Sequence, residues 1–288
     1  NPEGIEKHYS AMRRYLDYCE ERLQDGLITF GLGDWACYQP ASKVPDPLVL
    51  TGYHFSNLKR MARFAHILHR EEDAVEFLRR STMVSQAFQK HYRLGSGTFG
   101  PGFAATGFAL YFGLVPEQEI KLAATHLAQE VKEHDYVPEY GIHGSKAIPR
   151  VLAENGYAET ACRILTRRGY PGFFNCLDRG ATTLWGIWKG DSSLNHIMYG
   201  DVDAWLFRYP GGLSFSAGEI TLKPVPLKEI RSFSMSHRGF CCQWEREGAF
   251  VHYRIEVPQA TKLLLPNCSP LTLTVGEHHF IEHFHEQL

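Results

Sequence analysis

Hydrophobic positions along the chain recur with two different periods. From the start to about Gly212 the period is helical. Leu58, Met61, Phe64 and Leu68 fall at three- and four-residue intervals, as do Ile120, Ala124, Leu127 and Val131. Breaks at 69–72, at Val115-Pro116 and at Asn155-Gly156 set off helical runs over about 74–88, 118–132 and 147–152. Gly156 takes the C′ role after the last of these, and another helix starts near Tyr157. Helix, tight connection, helix is an αα-hairpin, and the pattern yields roughly eight or nine helical runs in succession. The chain has no sequence repeat of fixed period, which favours a globular array of hairpins over a TPR- or HEAT-type solenoid.

After Gly211-Gly212 the period becomes two. Val251, Tyr253, Ile255 and Val257 alternate with His252, Arg254 and Glu256, and Phe240, Cys242 and Trp244 alternate likewise. Glu247-Gly248 between them reads as a hairpin turn. Leu263/Leu265 and Leu271/Leu273/Val275 supply further strands, with Pro266 and Pro270 confined to the connection. The pattern predicts a mainly α chain: a helical domain over 1–212 and a small antiparallel β-sandwich over 213–288.

Composition narrows the function classes. Hydrophobic residues make up 44% and charged residues 22%, an ordinary globular balance that excludes a disordered or fibrous chain. A net charge of −2 with no basic run gives no reason to expect capture of nucleic acid or of an anionic membrane surface. No apolar stretch approaches the roughly 20 residues of a membrane span. Seven cysteines without a CxxC pair argue for free, buried thiols rather than a disulfide framework or zinc site. Cys241 and Cys242 would point to opposite faces of a strand. The first residue is Asn1, not Met, and no signal-peptide pattern follows, so the expectation is that an upstream part was removed or that the chain belongs to a longer protein.

Candidate chemistry lies where polar and aromatic residues break the packing period. Gly31-Leu32-Gly33-Asp34-Trp35 describes a turn in which the backbone approaches something closely, or a plain loop in which Asp34 caps the turn. Tyr140-Gly141-Ile142-His143-Gly144-Ser145 precedes a helix, with Ser145 as the N-cap. His143 faces a pocket or bonds to a backbone carbonyl, and the second use is preferred. The segment 180–196 holds Trp185, Trp188, Thr182, Thr183, Asn195 and His196 without either period, and long irregular segments inside compact domains usually carry function. Its tryptophans would stack on the apolar face of a sugar while Asn195 and His196 bond the hydroxyls, against the plainer reading of a loop packed by its own tryptophans. The tail from Glu277 through His278, His279, His283 and His285 has no HExxH pattern, so no metal site is expected. No GxSxG elbow supports a serine hydrolase.

Five segments, in this order, resemble the catalytic domain of glycoside hydrolase family 78, the bacterial α-L-rhamnosidases. They are Gly33-Asp34-Trp35, Gly141-Ile142-His143-Gly144, Leu152-Ala153-Glu154-Asn155-Gly156, Gly180-Ala181-Thr182-Thr183-Leu184-Trp185, and Ser193-Leu194-Asn195-His196 followed by Gly200. The resemblance covers essentially the whole chain and implies an (α/α)6 toroid, here partial, followed by the β-sandwich. It implies an inverting glycosidase acting on terminal rhamnosides, with acid and base carboxyls roughly 6.5–9.5 Å apart and no cofactor. It also implies a carbohydrate partner and a periplasmic or extracellular location, although the cysteine count is equally compatible with the cytoplasm. It assigns the rhamnose hydroxyls to His196 and puts Trp35 near the sugar, and together with the residue reading this gives a substrate-binding set of Asp34, Trp35, Trp185 and His196.

Two departures matter. The family's general acid is a Glu in an Asp-Cys-Pro-x-Arg-Glu segment upstream of the Gly-Asp-Trp turn, and these 288 residues contain no such segment. Its general base directly follows the Thr-Thr-x-Trp run, where this chain has Gly186. Losing a positioned base typically costs about 10²–10⁴-fold. Asp178, Asp191, Asp201 and Asp203 are the nearby carboxylates, none a convincing substitute. The expectation is therefore a portion of a rhamnosidase, inactive by itself, or alternatively a non-catalytic rhamnoside-binding or structural relative. A toroid glycosidase or lyase for another sugar is the third option.

Overall fold

A computed structural model of the chain describes residues 2–39, 43–216 and 218–284. The chain folds as two compact units, Asn1–Glu133 with Glu139–Val151, and His134–Pro138 with Leu152–Leu288. Among the described residues there are nine α-helices, and none is long and apolar enough to cross a membrane.

The first unit is helical. Helices α1 (Pro2–Glu20), α2 (Asp46–Ile67) and α3 (Glu71–Tyr92) pack together, and a short β1–β2 hairpin (Arg93–Gly95, Thr98–Phe99) leads into α4 (Gly102–Phe112). Then come α5 (Ile120–Glu133) and α6 (Ile142–Glu154). Helix α3 extends beyond the predicted 74–88 at both ends. Glu71, Glu72 and Asp73 in its first turn and Lys90 and His91 in its last complement the helix dipole, which an apolar period does not register. Asp73 also accepts from Tyr9 Oη and Arg13 Nη1, both at 2.8 Å, tying α3 to α1.

A buried cation ties the same helices at their other end. Arg80 donates to Asp17 Oδ1 (2.8 Å), Glu20 Oε2 (3.2 Å) and the Leu16 carbonyl (3.0 Å). His54 on α2, also buried, lies 3.6 Å from Glu20. Helix α4 is apolar around most of its circumference and is buried from Phe103 to Ala109, as a helix surrounded by others must be. Glycine lets its neighbours come close. A Cβ on Gly107 would stand 2.2 Å from Ile148 Cδ1.

Helix α6 begins well before the predicted 147–152. Gly144 and Pro149 hide its first turns from a propensity reading, and what starts it is remote in sequence.

The second unit opens on α7 (Ala158–Thr166), α8 (Phe173–Asp178) and α9 (Asp201–Arg208). Residues 179–200, irregular apart from a 3₁₀ turn at Ile197–Tyr199, separate α8 from α9. Strand structure follows from Leu213, next to the expected boundary at 212/213, although the compact units divide earlier in the chain. One sheet is ordered β10-β7-β6-β5 and the other β3-β4-β8-β9. Their ranges are β3 Leu213–Ser216, β4 Glu219–Leu222, β5 Ser232–His237, β6 Phe240–Glu247, β7 Phe250–Val257, β8 Thr261–Leu263, β9 Leu271–Leu273 and β10 Gly276–His283. Side chains from both sheets share one core, including Leu222 and Leu263 from one and Cys242, Trp244, Tyr253 and Ile255 from the other. The predicted alternation on β6 and β7 is the observed one, with Cys242 buried and Cys241 half-exposed.

Three expectations change. The pairing is not antiparallel throughout, because β4 and β8 run parallel. The chain leaves β4, builds three strands of the other sheet and returns, so nothing forces it to reverse direction. Val275 is exposed and lies outside β9, and Cys268 is an exposed thiol rather than a buried one.

Candidate functional site

In the first unit, Asp34 is fully buried, and its carboxylate is enclosed by backbone amides. Oδ2 accepts from Gly141 N at 2.7 Å, and Oδ1 accepts from His143 N at 2.8 Å and Gly144 N at 3.2 Å. The Trp35 carbonyl accepts from Ile142 N at 3.0 Å. The amides at the start of α6, which no helical carbonyl can reach, are thus satisfied by a dipeptide more than a hundred residues away. A negative charge there also meets the positive end of the helix dipole. Gly141 is required by this approach, since a Cβ on it would stand 2.1 Å from the Trp35 carbonyl oxygen. Burial pushes the Asp34 carboxyl above its usual range, while the three amides pull it down.

This geometry corrects two expectations. Ser145 is not the N-cap: it lies in the second turn, with its hydroxyl donating to the Ile142 carbonyl at 2.7 Å. The His143 side chain meets no backbone carbonyl but the Tyr53 hydroxyl, 2.9 Å from Nδ1. Burial holds the imidazole below its ordinary pKa, with Asp34 opposing. Tyr53 sits edge-on to both His143 (5.0 Å) and Phe112 (4.9 Å). Trp35 is half exposed at 45%.

In the second unit, the irregular stretch closes on itself. Gly186 N donates to the Ser193 carbonyl and His196 N to the Leu184 carbonyl, both at 2.8 Å, and Thr183 Oγ1 donates to the Leu194 carbonyl. This short ladder puts His196 against Gly186, where a Cβ would stand 3.2 and 3.3 Å from His196 Cβ and Cγ and 3.1 Å from Ser193 Cβ. Met198 N donates to His196 Nδ1 at 3.0 Å. A backbone amide can only donate, so Nδ1 is the acceptor and a neutral His196 carries its proton on Nε2.

The two tryptophans of this stretch separate. Trp185 is half-buried, with the Arg179 guanidinium 5.1 Å from its ring centre, and it borders a cavity of about 520 Å³. Trp188 is 4% exposed and stacks on Tyr199 at 4.5 Å, so it belongs to the core and is no sugar platform. Asn195 is exposed. Asp178 pairs with Arg168, Asp201 and Asp203 stand in the first turn of α9, and Asp191 is exposed on the loop.

The histidine-rich tail forms β10, where Glu277 is taken by Arg254 (2.6 Å) and His279 (2.8 Å), and His283 lies against Phe250. His285 lies outside the described residues. Among the described residues, no group of three or more His, Cys, Asp or Glu is placed to hold a metal ion. All seven cysteines are free thiols.

Sequence reasoning missed Tyr53 and Met198. Tyr53 stands mid-helix with nothing local to distinguish it, and Met198 acts through its backbone, which no residue type reveals.

Residues 1–209 match the profile of the bacterial α-L-rhamnosidase six-hairpin glycosidase domain. Among curated proteins, an α-L-rhamnosidase of Streptomyces avermitilis is 28% identical over 263 residues, covering 84% of this chain and 25% of that protein. One from Formosa agariphila is 23% identical over 304 residues, covering 96% and 33%. The chain thus spans about a quarter to a third of the length of these curated relatives. Among solved structures, the α-L-rhamnosidase from Dictyoglumus thermophilum superposes with a TM-score of 0.86 at 22% identity, covering 99% of this chain and 37% of that one. The Streptomyces avermitilis enzyme complexed with L-rhamnose gives 0.86 at 21% identity, covering 98% and 31%.

Proposed function

Because the chain belongs to the bacterial α-L-rhamnosidase six-hairpin glycosidase family, we propose that it is the sugar-holding portion of a glycoside hydrolase that cleaves terminal α-L-rhamnosides with inversion. In this reading residues 1–212 are the catalytic-fold domain and 213–288 a separate β-domain, and the family profile ends near that point. In the second unit His196 bonds the rhamnose hydroxyls and Trp185 supplies apolar surface, and in the first unit Trp35 offers an exposed indole to carbohydrate. Asp34, its oxygens occupied by amides, positions Trp35 rather than touching sugar. The observation that carries the reading is His196: its Nδ1 is tied by Met198, which leaves Nε2–H as a donor of fixed orientation beside the position from which the family's base projects. The L-rhamnose held by the Streptomyces avermitilis relative supports the same substrate class.

Gly186 favours a second reading, in which the chain binds terminal rhamnosides without cleaving them. Titrating the chain with L-rhamnose and assaying an aryl α-L-rhamnoside separates the two. Binding lost in His196→Ala supports the sugar site. Binding with no turnover, and none gained in Gly186→Glu, favours the binding protein. No interaction with L-rhamnose at millimolar concentration overturns both.

A further inference from the structure

We infer that the cavity beside Trp185 takes the aglycone of the rhamnoside, that this aglycone is apolar and aromatic, and that Leu177, Leu206 and Ile230 select it. The inference rests on the rhamnoside-binding reading above and names the other half of the ligand. It draws on residues of the second unit alone.

The cavity, of about 520 Å³, has the size of an ordinary small-molecule pocket, roughly 300–1,000 Å³. Leu177 comes to it from α8, Leu206 from α9, Ile230 from the connection between β4 and β5, and Leu184 and Trp185 from the irregular stretch. Trp188 also lines it, held by stacking on Tyr199 at 4.5 Å and by the edge-on ring of Phe173 at 5.1 Å. The Arg179 guanidinium packs on the Trp185 ring and donates to the Trp188 carbonyl at 3.1 Å, which fixes both indoles in one wall.

The ladder joins this wall to His196. Thr183 and Leu184 line the cavity, and across the ladder they bond Leu194 and His196. Trp185 is followed by Gly186, where a Cβ would stand 3.2 Å from His196 Cβ. Trp185 is therefore common to the sugar surface and to the cavity, and the two tryptophans serve different halves of one ligand.

The lining gives a second sugar little to bond. Thr166 Oγ1 donates to the Cys162 carbonyl at 2.9 Å, Thr183 Oγ1 donates to the Leu194 carbonyl, and Glu229 lies 3.3 Å from Arg163 Nε. Hydroxyls brought against such a wall lose water without gaining partners. Leu177, by contrast, is 55% exposed and leaves apolar surface that a flat ring would cover. The competing reading is a gap in packing that meets no ligand.

The test compares methyl α-L-rhamnoside with 4-nitrophenyl α-L-rhamnoside on the unmodified chain by titration calorimetry. Nuclear Overhauser contacts from the aryl protons locate the ring. The aryl compound is expected to bind about tenfold more tightly, through the apolar area its ring buries. Its protons are expected to contact the methyls of Leu177, Leu206 and Ile230. Leu177→Asp puts a carboxylate into the wall and should cut the tenfold preference to about twofold. Equal affinities for the two compounds, or aryl contacts that miss those side chains, overturn the inference and leave the rhamnoside reading standing. If neither compound binds at millimolar concentration, the rhamnoside reading fails and takes this inference with it. The ligand comparison needs no variant, so a poorly folding substitution leaves the question answerable.

Discussion

The cap at the start of α6 and the ladder around Gly186 both hold an imidazole by its Nδ1, but they are built from opposite kinds of contact. In the cap, the partners lie about a hundred residues apart: Asp34 with Gly141, His143 and Gly144, and Tyr53 with His143. In the ladder they lie close together: Leu184 with His196, Gly186 with Ser193, Thr183 with Leu194. Long-range contacts inside a buried helix end are lost only when the fold is lost, whereas a local ladder on an exposed loop opens by itself. The difference teaches that two imidazoles held through the same atom can rest on supports of very different stability. Amide exchange measures it directly. The Gly141, His143 and Gly144 amides are expected to exchange near the global unfolding limit, and those of Gly186 and His196 much sooner. Equal protection at both places would erase the distinction.

Mutation gives the largest expected effect. Asp34→Ala strands three amides at a helix start that is closed to water. At about 1–3 kcal/mol for each buried group left unsatisfied, with partial relaxation, the loss is about 3 kcal/mol. Thr183→Val removes one bond on an exposed segment and should cost less than about 1 kcal/mol. Urea unfolding compares the two, with a fall in midpoint at constant slope as the sign of lost stability. Comparable losses would mean that the ladder is as strongly held as the cap.

Gly186→Glu comes next and acts on the ladder alone. Its Cβ must find room among atoms 3.1–3.3 Å away in Ser193 and His196, so about 1–2 kcal/mol of stability should be lost to overpacking. Gly186→Ala isolates that steric part. If His196 is displaced by either change, its Nδ1 bond to Met198 weakens and L-rhamnose affinity falls with it. Unchanged affinity in both variants would show a loop that yields freely, in line with early amide exchange.

The two regions were also unequally legible in the sequence. Thr183, Trp185, Gly186 and His196 stand within fourteen residues of one another, so their departure from both hydrophobic periods was visible in a single window. The roles of Trp185 and Trp188 were not, because burial depends on Phe173 and Tyr199, which no window relates to them. At the cap the sequence showed its glycines and its carboxylate but not that they meet. Ser145 had the right chemistry for an N-cap at the wrong turn, because a remote Asp34 had already begun the helix. The strands of β6 and β7 were readable since one side faces a core and the other water. The parallel β4–β8 pair was not, since two strands of four and three residues carry too little alternation to state a direction.

The smallest expected effect is one of pH, and it sharpens the comparison by belonging to the first unit. Burial depresses His54, with Arg80 acting in the same direction and Glu20 opposing, and burial depresses His143, with Lys146 adding to it and Asp34 opposing. Between the lowered folded values and the ordinary 6.5, the unfolded chain therefore binds more protons than the folded one. Stability should rise with pH across that window and level off both above about 6.5 and below the folded values, with a slope of at most about 1.4 kcal/mol per pH unit for each histidine. Asp34 acts with the opposite sign at lower pH. Its raised carboxyl favours the protonated folded state, so its share of stability declines as pH climbs from about 3.8 through the folded value. Unfolding midpoints measured from pH 5 to 8 test the histidine part. His54→Gln should flatten most of the rise, and His143→Gln a smaller part, because His54 is the more deeply buried ring and its Nδ1 and Nε2 lack hydrogen-bond partners. A slope that survives both substitutions would move the linkage out of the first unit and break the assignment.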